Sequence, residues 1–179
     1  MSYSEPNDLL PTIPTAVEDY IEMHNRGSGP FHQTTLKLYS VPITVTDDAS
    51  YMYGSVQLAT LPQGVINVLG VVVKDLSCEV LSSTLSLTDG GDFGFGTAAD
   101  ADGTLDAGAD VNLCPKTGLD PIGTAVDAQL AAAAIIDGSA TALPIYFNLS
   151  LDTGDGSDIA EAIAFSATVV ISWVDLGND

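Results

Sequence analysis

Two histidines, His24 and His32, two cysteines, Cys78 and Cys114, and 24 aspartates and glutamates are the side chains of this 179-residue chain equipped to bind metal, relay protons or attack a substrate. The histidines flank the segment Gly27-Ser28-Gly29-Pro30, a poor place to preorganise general acid–base catalysis, so they are expected as surface or contact residues. The cysteines lack CxxC spacing and read as buried thiols, with a disulfide between them left open. Asp100, Asp102, Asp106 and Asp110 form one acidic cluster, and Asp152, Asp155 and Asp158 a second, both in Gly/Ala-rich stretches. Carboxylate oxygens suit calcium, but neither cluster follows the EF-hand spacing. Solvated turns are expected, with Asp152, Asp155 and Asp158 as weak calcium candidates. No HExxH, GxSxG, P-loop or dinucleotide-binding glycine pattern occurs. Paired carboxylates, as glycoside hydrolysis uses, arise by chance among 24 acids, and one Trp with six Tyr leaves few sugar-stacking platforms. The inventory predicts no catalytic residues, no cofactor and no enzyme.

Four Lys and Arg against 24 acids give a net charge of −20, which disfavours partners bound through phosphates, nucleic acid and anionic membranes alike. A hydrophobic content of 46% permits a sizeable core. The apolar run that includes 131–136 is far short of the roughly 18 residues of a membrane span, and the opening MSYSEPNDLL predicts no secretory leader. Aspartate dominates the acids, 19 to five Glu, a surface suited to high salt or to the outside of a particle.

The charge is unevenly spread. Residues 1–40 hold Arg26, Lys37, both histidines and five acids, whereas residues 41–179 hold Lys74 and Lys116 against 19 acids. Pro6, Pro11 and Pro14, then Gly27 to Pro30, punctuate the first part. The Thr15/Glu18 capping-box spacing, with Val17, Tyr20, Ile21 and Met23 on one face, predicts a short helix ending near Arg26. Residues 1–40 are therefore expected as an extended arm and 41–179 as an acidic body. Strand patterns follow over Thr34–Tyr39, Ile43–Val45 and Val56–Leu58. The run Val65–Val80 reads as a core strand buried on both faces, bent at Gly70. Further strands are expected at Phe93–Phe95, Leu143–Leu151 and Ile163–Leu176, the last with Phe165, Ala167, Val169, Ile171 and Trp173 on one face. TAVDAQLAAAA, residues 124–134, predicts one crossover helix. The whole reads as mainly β, a β-sandwich or jelly roll.

Three segments carry a family resemblance. LPQGVINVLGVVVKDLSCEV supplies Pro62, Gly64, Leu69 and Gly70; GDFGFGTAADADGTL supplies Gly91, Asp92, Phe93, Gly96 and Thr97; ATVVISWVDLGND supplies Ile171, Trp173, Leu176 and Gly177. Over about residues 61–179 the chain resembles small virion proteins of tailed bacteriophages. The resemblance implies a head decoration, or cement, protein on the capsid exterior at capsomer junctions, bound to the major capsid protein and often a homotrimer. On that reading the arm makes the contact, to capsid or to a sister protomer, through Tyr20, His24, Arg26, Phe31, His32 and Lys37. The alternatives are a receptor-binding or fibre-associated β module of the virion and, further off, a small acidic extracellular hydrolase.

Overall fold

A computed structural model describes residues 10–47, 52–81, 90–105, 108–119, 126–129, 134–151 and 161–177. Ten strands follow in chain order: β1 (Ile21–Ser28), β2 (Phe31–Asp47), β3 (Met52–Thr60), β4 (Gly64–Val80), β5 (Gly91–Gly96), β6 (Cys114–Leu119), β7 (Val126–Gln129), β8 (Ala134–Gly138), β9 (Pro144–Leu151) and β10 (Glu161–Asp175). All pairings are antiparallel, in the order β6-β5-β9-β3-β2-β10-β4-β7, with β1 beside the first part of β2 and β8 beside the first part of β4. The sheet curls because β2 changes partners. Its residues 31–45 pair with β10, whereas Thr46 and Asp47 pair with Tyr53 and Met52 of β3. The two halves of the curled sheet then face one another, giving a mainly β, sandwich-like fold.

The core lies between them. Phe147 of β9 stacks on Phe165 of β10 with ring centroids 4.0 Å apart, and Phe95 meets Phe147 edge-on at 5.4 Å. In β10, Ile163, Phe165, Ala167, Val169, Ile171 and Trp173 are all buried, the alternation expected of a strand with one face inward. β4 differs from its expected burial on both faces: Val68, Val71, Val73 and Leu76 are buried, but Leu69, Val72 and Lys74 are exposed. The expected bend is present, since the register of β10 against β4 shifts between Ser172, opposite Gly70, and Trp173, opposite Val68, leaving Leu69 as an extra residue.

A second irregularity runs across the sheet. Between Leu38 and Val41, β2 spends two residues where β10 spends one; β4 does the same between Lys74 and Ser77 against β10, and again between Val73 and Leu76 against β7. Ser40 (φ 48°) and Asp75 (φ 54°), the non-glycine residues in the left-handed region, sit in this line of bulges. The Ser40 amide donates to Ser166 Oγ at 2.9 Å and the Asp75 amide to Asp127 Oδ1 at 2.9 Å, so side chains satisfy backbone donors that the bulges free. Aligned bulges crease the sheet and let its long strands wrap the core.

Both expected helices are corrected. Around residue 18 there is a single 3-10 turn, Glu18–Tyr20, preceded by Val17 with no side-chain cap, and Ile21 to Ser28 form β1. Ile21, Met23 and Asn25 face Leu38, Leu36 and Thr34 across the β1–β2 register, so a period of two, imposed by pairing, overrides the local helical spacing. In the Ala-rich segment, Val126–Gln129 is β7 and Ala134–Gly138 is β8, both paired with β4; residues 124–125 and 130–133 lie outside the described residues. No α-helix occurs among the described residues. The boundary expected at residues 40/41 falls inside β2, which runs unbroken from the first part into the second. The segment expected as an arm is also tied down before β1. Thr12 and Thr60 exchange backbone hydrogen bonds at 3.0 and 2.8 Å, and Val17 is buried in the common core.

Candidate interaction face

Gly29 (φ 61°) and Pro30 make a two-residue turn between Ser28 and Phe31, the geometry of a tight hairpin with glycine in its first central position. This turn fixes which side chains of β1 and β2 point outward. Glu22, His24 and Arg26 of β1 lie beside Lys37, Thr35 and Gln33 of β2, on the side of the sheet away from Leu36 and Leu38. The outward rows continue across β10 and β4. Phe31, Val174, Asn67 and, on β8, Ile135 form one row; Thr35, Val170 and Val72 a second; Lys37, Thr168 and Lys74 a third.

This face differs from the acidic remainder in being nearly balanced in charge, with Asp127 of β7 and Asp137 of β8 beside its cations, and in its apolar exposure. Three of the four Lys and Arg, namely Arg26, Lys37 and Lys74, stand on it. Glu22 is the carboxylate among the rows just given. It accepts hydrogen bonds from His24 Nε2 at 2.7 Å, Tyr39 Oη at 3.1 Å and Lys37 Nζ at 3.4 Å; these donors, His24 first, hold its carboxyl below the usual carboxylate range. Exposed apolar side chains join the cations: Ile135 is 70% exposed, Phe31 62%, Leu69 47% and Val72 37%. Exposed apolar side chains gathered on one face and interspersed with polar groups mark a surface that can dock on another.

The residues expected at the contact are divided by the sheet. His24, Arg26, Phe31 and Lys37 share the outer face, and Tyr20 is exposed on the 3-10 turn just before it. His32 faces the other way, stacked on Trp173 at 4.2 Å with planes 16° apart. There Trp173 Nε1 donates to Thr34 Oγ1 at 3.1 Å, and Thr34 donates to Asn25 Oδ1 at 2.7 Å, closing the end of the core with satisfied polar groups. The histidines therefore do not converge. Lys74, Leu69, Val72 and Ile135 were missed in the sequence. Lys74 was the available signal, because a lysine two positions from Val72 shares its side of a strand and that side must reach water.

Although Asp100 Oδ2 is buried with no hydrogen-bond partner among the described residues, the described part of the acidic loop between β5 and β6 is held by internal bonds. Buried Asn148 of β9 anchors it: its Nδ2 donates to Ala98 O at 3.0 Å and Asp110 O at 2.7 Å, and its Oδ1 accepts from Ser55 Oγ at 2.6 Å and the Asp100 amide at 3.1 Å. Desolvation, with smaller contributions from Asp102 and Asp110, pushes the Asp100 carboxyl up, while Thr104 hydrogen bonds pull Asp102 down. Among the described residues no three His, Cys, Asp or Glu side chains are grouped as a metal ion requires. Asp106, Asp152, Asp155 and Asp158 lie outside the described residues. Cys78 and Cys114 are buried and free, as expected of structural thiols. The fourth cation, Lys116, pairs with Asp92 at 3.0 Å. No protein-family model matches the chain, and no curated protein sequence matches it.

Proposed function

We propose that this chain is a non-enzymatic structural protein of a virion, a decoration protein that seats on the outside of a phage head, against the major capsid protein at capsomer junctions, and stabilises the shell. The observation that carries the reading is the two-sided surface: cations and exposed apolar side chains gathered on one sheet face of a chain whose net charge is −20. Such a molecule lays that face on a larger body and turns its acidic remainder to solvent, where charge repulsion keeps neighbouring particles apart. The sandwich-like core, closed by paired strands and by the Trp173–Thr34–Asn25 hydrogen bonds, suits a part that is a brace.

Quantitative co-sedimentation with heads stripped of their outer proteins tests the reading. Saturation at hundreds of copies per head with a raised particle melting temperature is expected; tens of copies would instead assign a vertex or fibre role, and no binding removes the reading. The double variant Lys74→Glu/Ile135→Asp should weaken attachment by about 100-fold or more, since two charge-reversing or apolar-to-charged changes at an interface cost several kcal/mol. Lys116→Ala, on a strand of the other half of the sheet, should leave attachment unchanged.

A further inference from the structure

We propose that β1 is a self-complementary edge through which two copies of this chain join across a two-fold axis. β1 pairs with β2 on one side, and no described residue pairs with its other side. Its eight register pairs, from Ile21–Leu38 to Ser28–Phe31, run without a shift, whereas β2–β10, β4–β10, β3–β9, β4–β7 and β5–β6 are all interrupted. The strand IEMHNRGS has no proline and none of the bulges or inward charges that blunt free edges. An unbroken strand of this length is a template for another.

The register identifies which groups are on offer. A two-residue turn makes Ser28–Phe31 a hydrogen-bonded pair, so by alternation Arg26, His24 and Glu22 spend their backbone groups on β2. The N–H and C=O of Met23, Asn25 and Gly27 are thereby directed at the open edge. The side-chain order then selects the occupant. If β1 is laid antiparallel on a second β1 about His24, Glu22 falls opposite Arg26 of the second copy and Arg26 opposite its Glu22. Met23 falls opposite Asn25 as a hydrogen-bonded pair, the parity that the open groups require. Moving the axis to Asn25 sets Arg26 against His24 and loses both ion pairs. Exposed ion pairs are individually weak, so they fix register while backbone bonding and the covered edge provide the hold. The outer faces of both copies then run on into one another.

Sedimentation velocity on the full chain tests this without reference to any capsid, so its outcome is separate from that of the decoration reading. The intact protein is expected at twice its 18.4 kDa. Arg26→Glu alone and Glu22→Arg alone each set like charges opposite one another and should weaken pairing by about tenfold or more. An equimolar mixture of the two variants restores both opposite-charge pairs and should sediment as a dimer. Melting curves check that each variant is folded. Amide exchange on the intact protein gives a reading that needs no variant: Met23 and Asn25 should gain protection as concentration rises. A monomer at all concentrations, a dimer or trimer that both variants retain, a mixture that stays monomeric, or Met23 and Asn25 amides whose exchange ignores concentration would each overturn the proposal.

Discussion

Burial decides what the two thiols can do. Cys78 on β4 and Cys114 on β6 are 6% and 0% exposed, and desolvation pushes their thiols from the usual 9.0 up to about 12 and about 11. Both stay protonated in the fold and ionise first in the unfolded chain. A group whose folded pKa stands above its unfolded one contributes its full stability below the unfolded value and loses it as pH rises toward the folded value. The urea midpoint should therefore hold steady up to about pH 8 and fall between about pH 9 and pH 11. Cys78→Ala should shrink that fall, and a fall of equal size in the variant would assign it to other groups. Thiol reagents should label neither cysteine until the chain unfolds. The sequence identified these residues as inert because Cys without metal spacing is usually a small buried apolar residue. It did not identify Asn148, because nothing about one Asn in a strand discloses that four hydrogen bonds from two loop ends and β3 converge on it.

The crease is a property of elements and depends on residues in an unusual conformation. Ser40 holds φ 48° in the middle of a 17-residue strand, a region that crowds Cβ against the carbonyl and is worst for β-branched residues. Ser40→Val should cost about 1–2 kcal/mol by equilibrium urea denaturation, and Ser40→Gly about 0.5 kcal/mol or less, because relief of crowding offsets the added freedom of the unfolded chain. The backbone amide that donates to Ser166 Oγ is kept in both variants, so equal losses would mean that the dihedral does not set the cost. Strands that alternate cleanly were legible: β5, β9 and β10 lie where the spacing of Phe93, Phe147 and Phe165 places them. The hairpin β1–β2 was not, since Val17, Tyr20 and Ile21 suit a helix locally and only the neighbouring β2 supplies the ladder that Ile21 and Met23 join. β7 and β8 were hidden likewise by alanine's helix propensity, which pairing with β4 overrides. The docking face needed the neighbours of β10 to be known, because Lys37 and Lys74 become members of one row only through Thr168 between them.

At the scale of the whole molecule, self-repulsion dominates. A charge of −20 on 179 residues opposes compaction, and salt bridges among the described residues are few and at least partly exposed. Screening should therefore remove more repulsion than attraction. The melting temperature is expected to rise between about 0.02 M and about 1 M NaCl, as the Debye length shrinks from roughly 20 Å to about 3 Å; a flat or falling profile would show that local pairs outweigh the net charge. The same screening should favour association of two like-charged copies through β1. Strand order has its own consequence for how the protein is made. β10, which follows the other nine strands in chain order, lies between β2 and β4, which are synthesised more than 80 residues earlier. Until residues 161–175 emerge, β2 and β4 have an unfilled slot between them and the aromatic stack lacks Phe165. This part of the sheet is thus completed only after β10 emerges, and until then the nascent protein carries two open strand edges that a chaperone, or another nascent copy, can reach first.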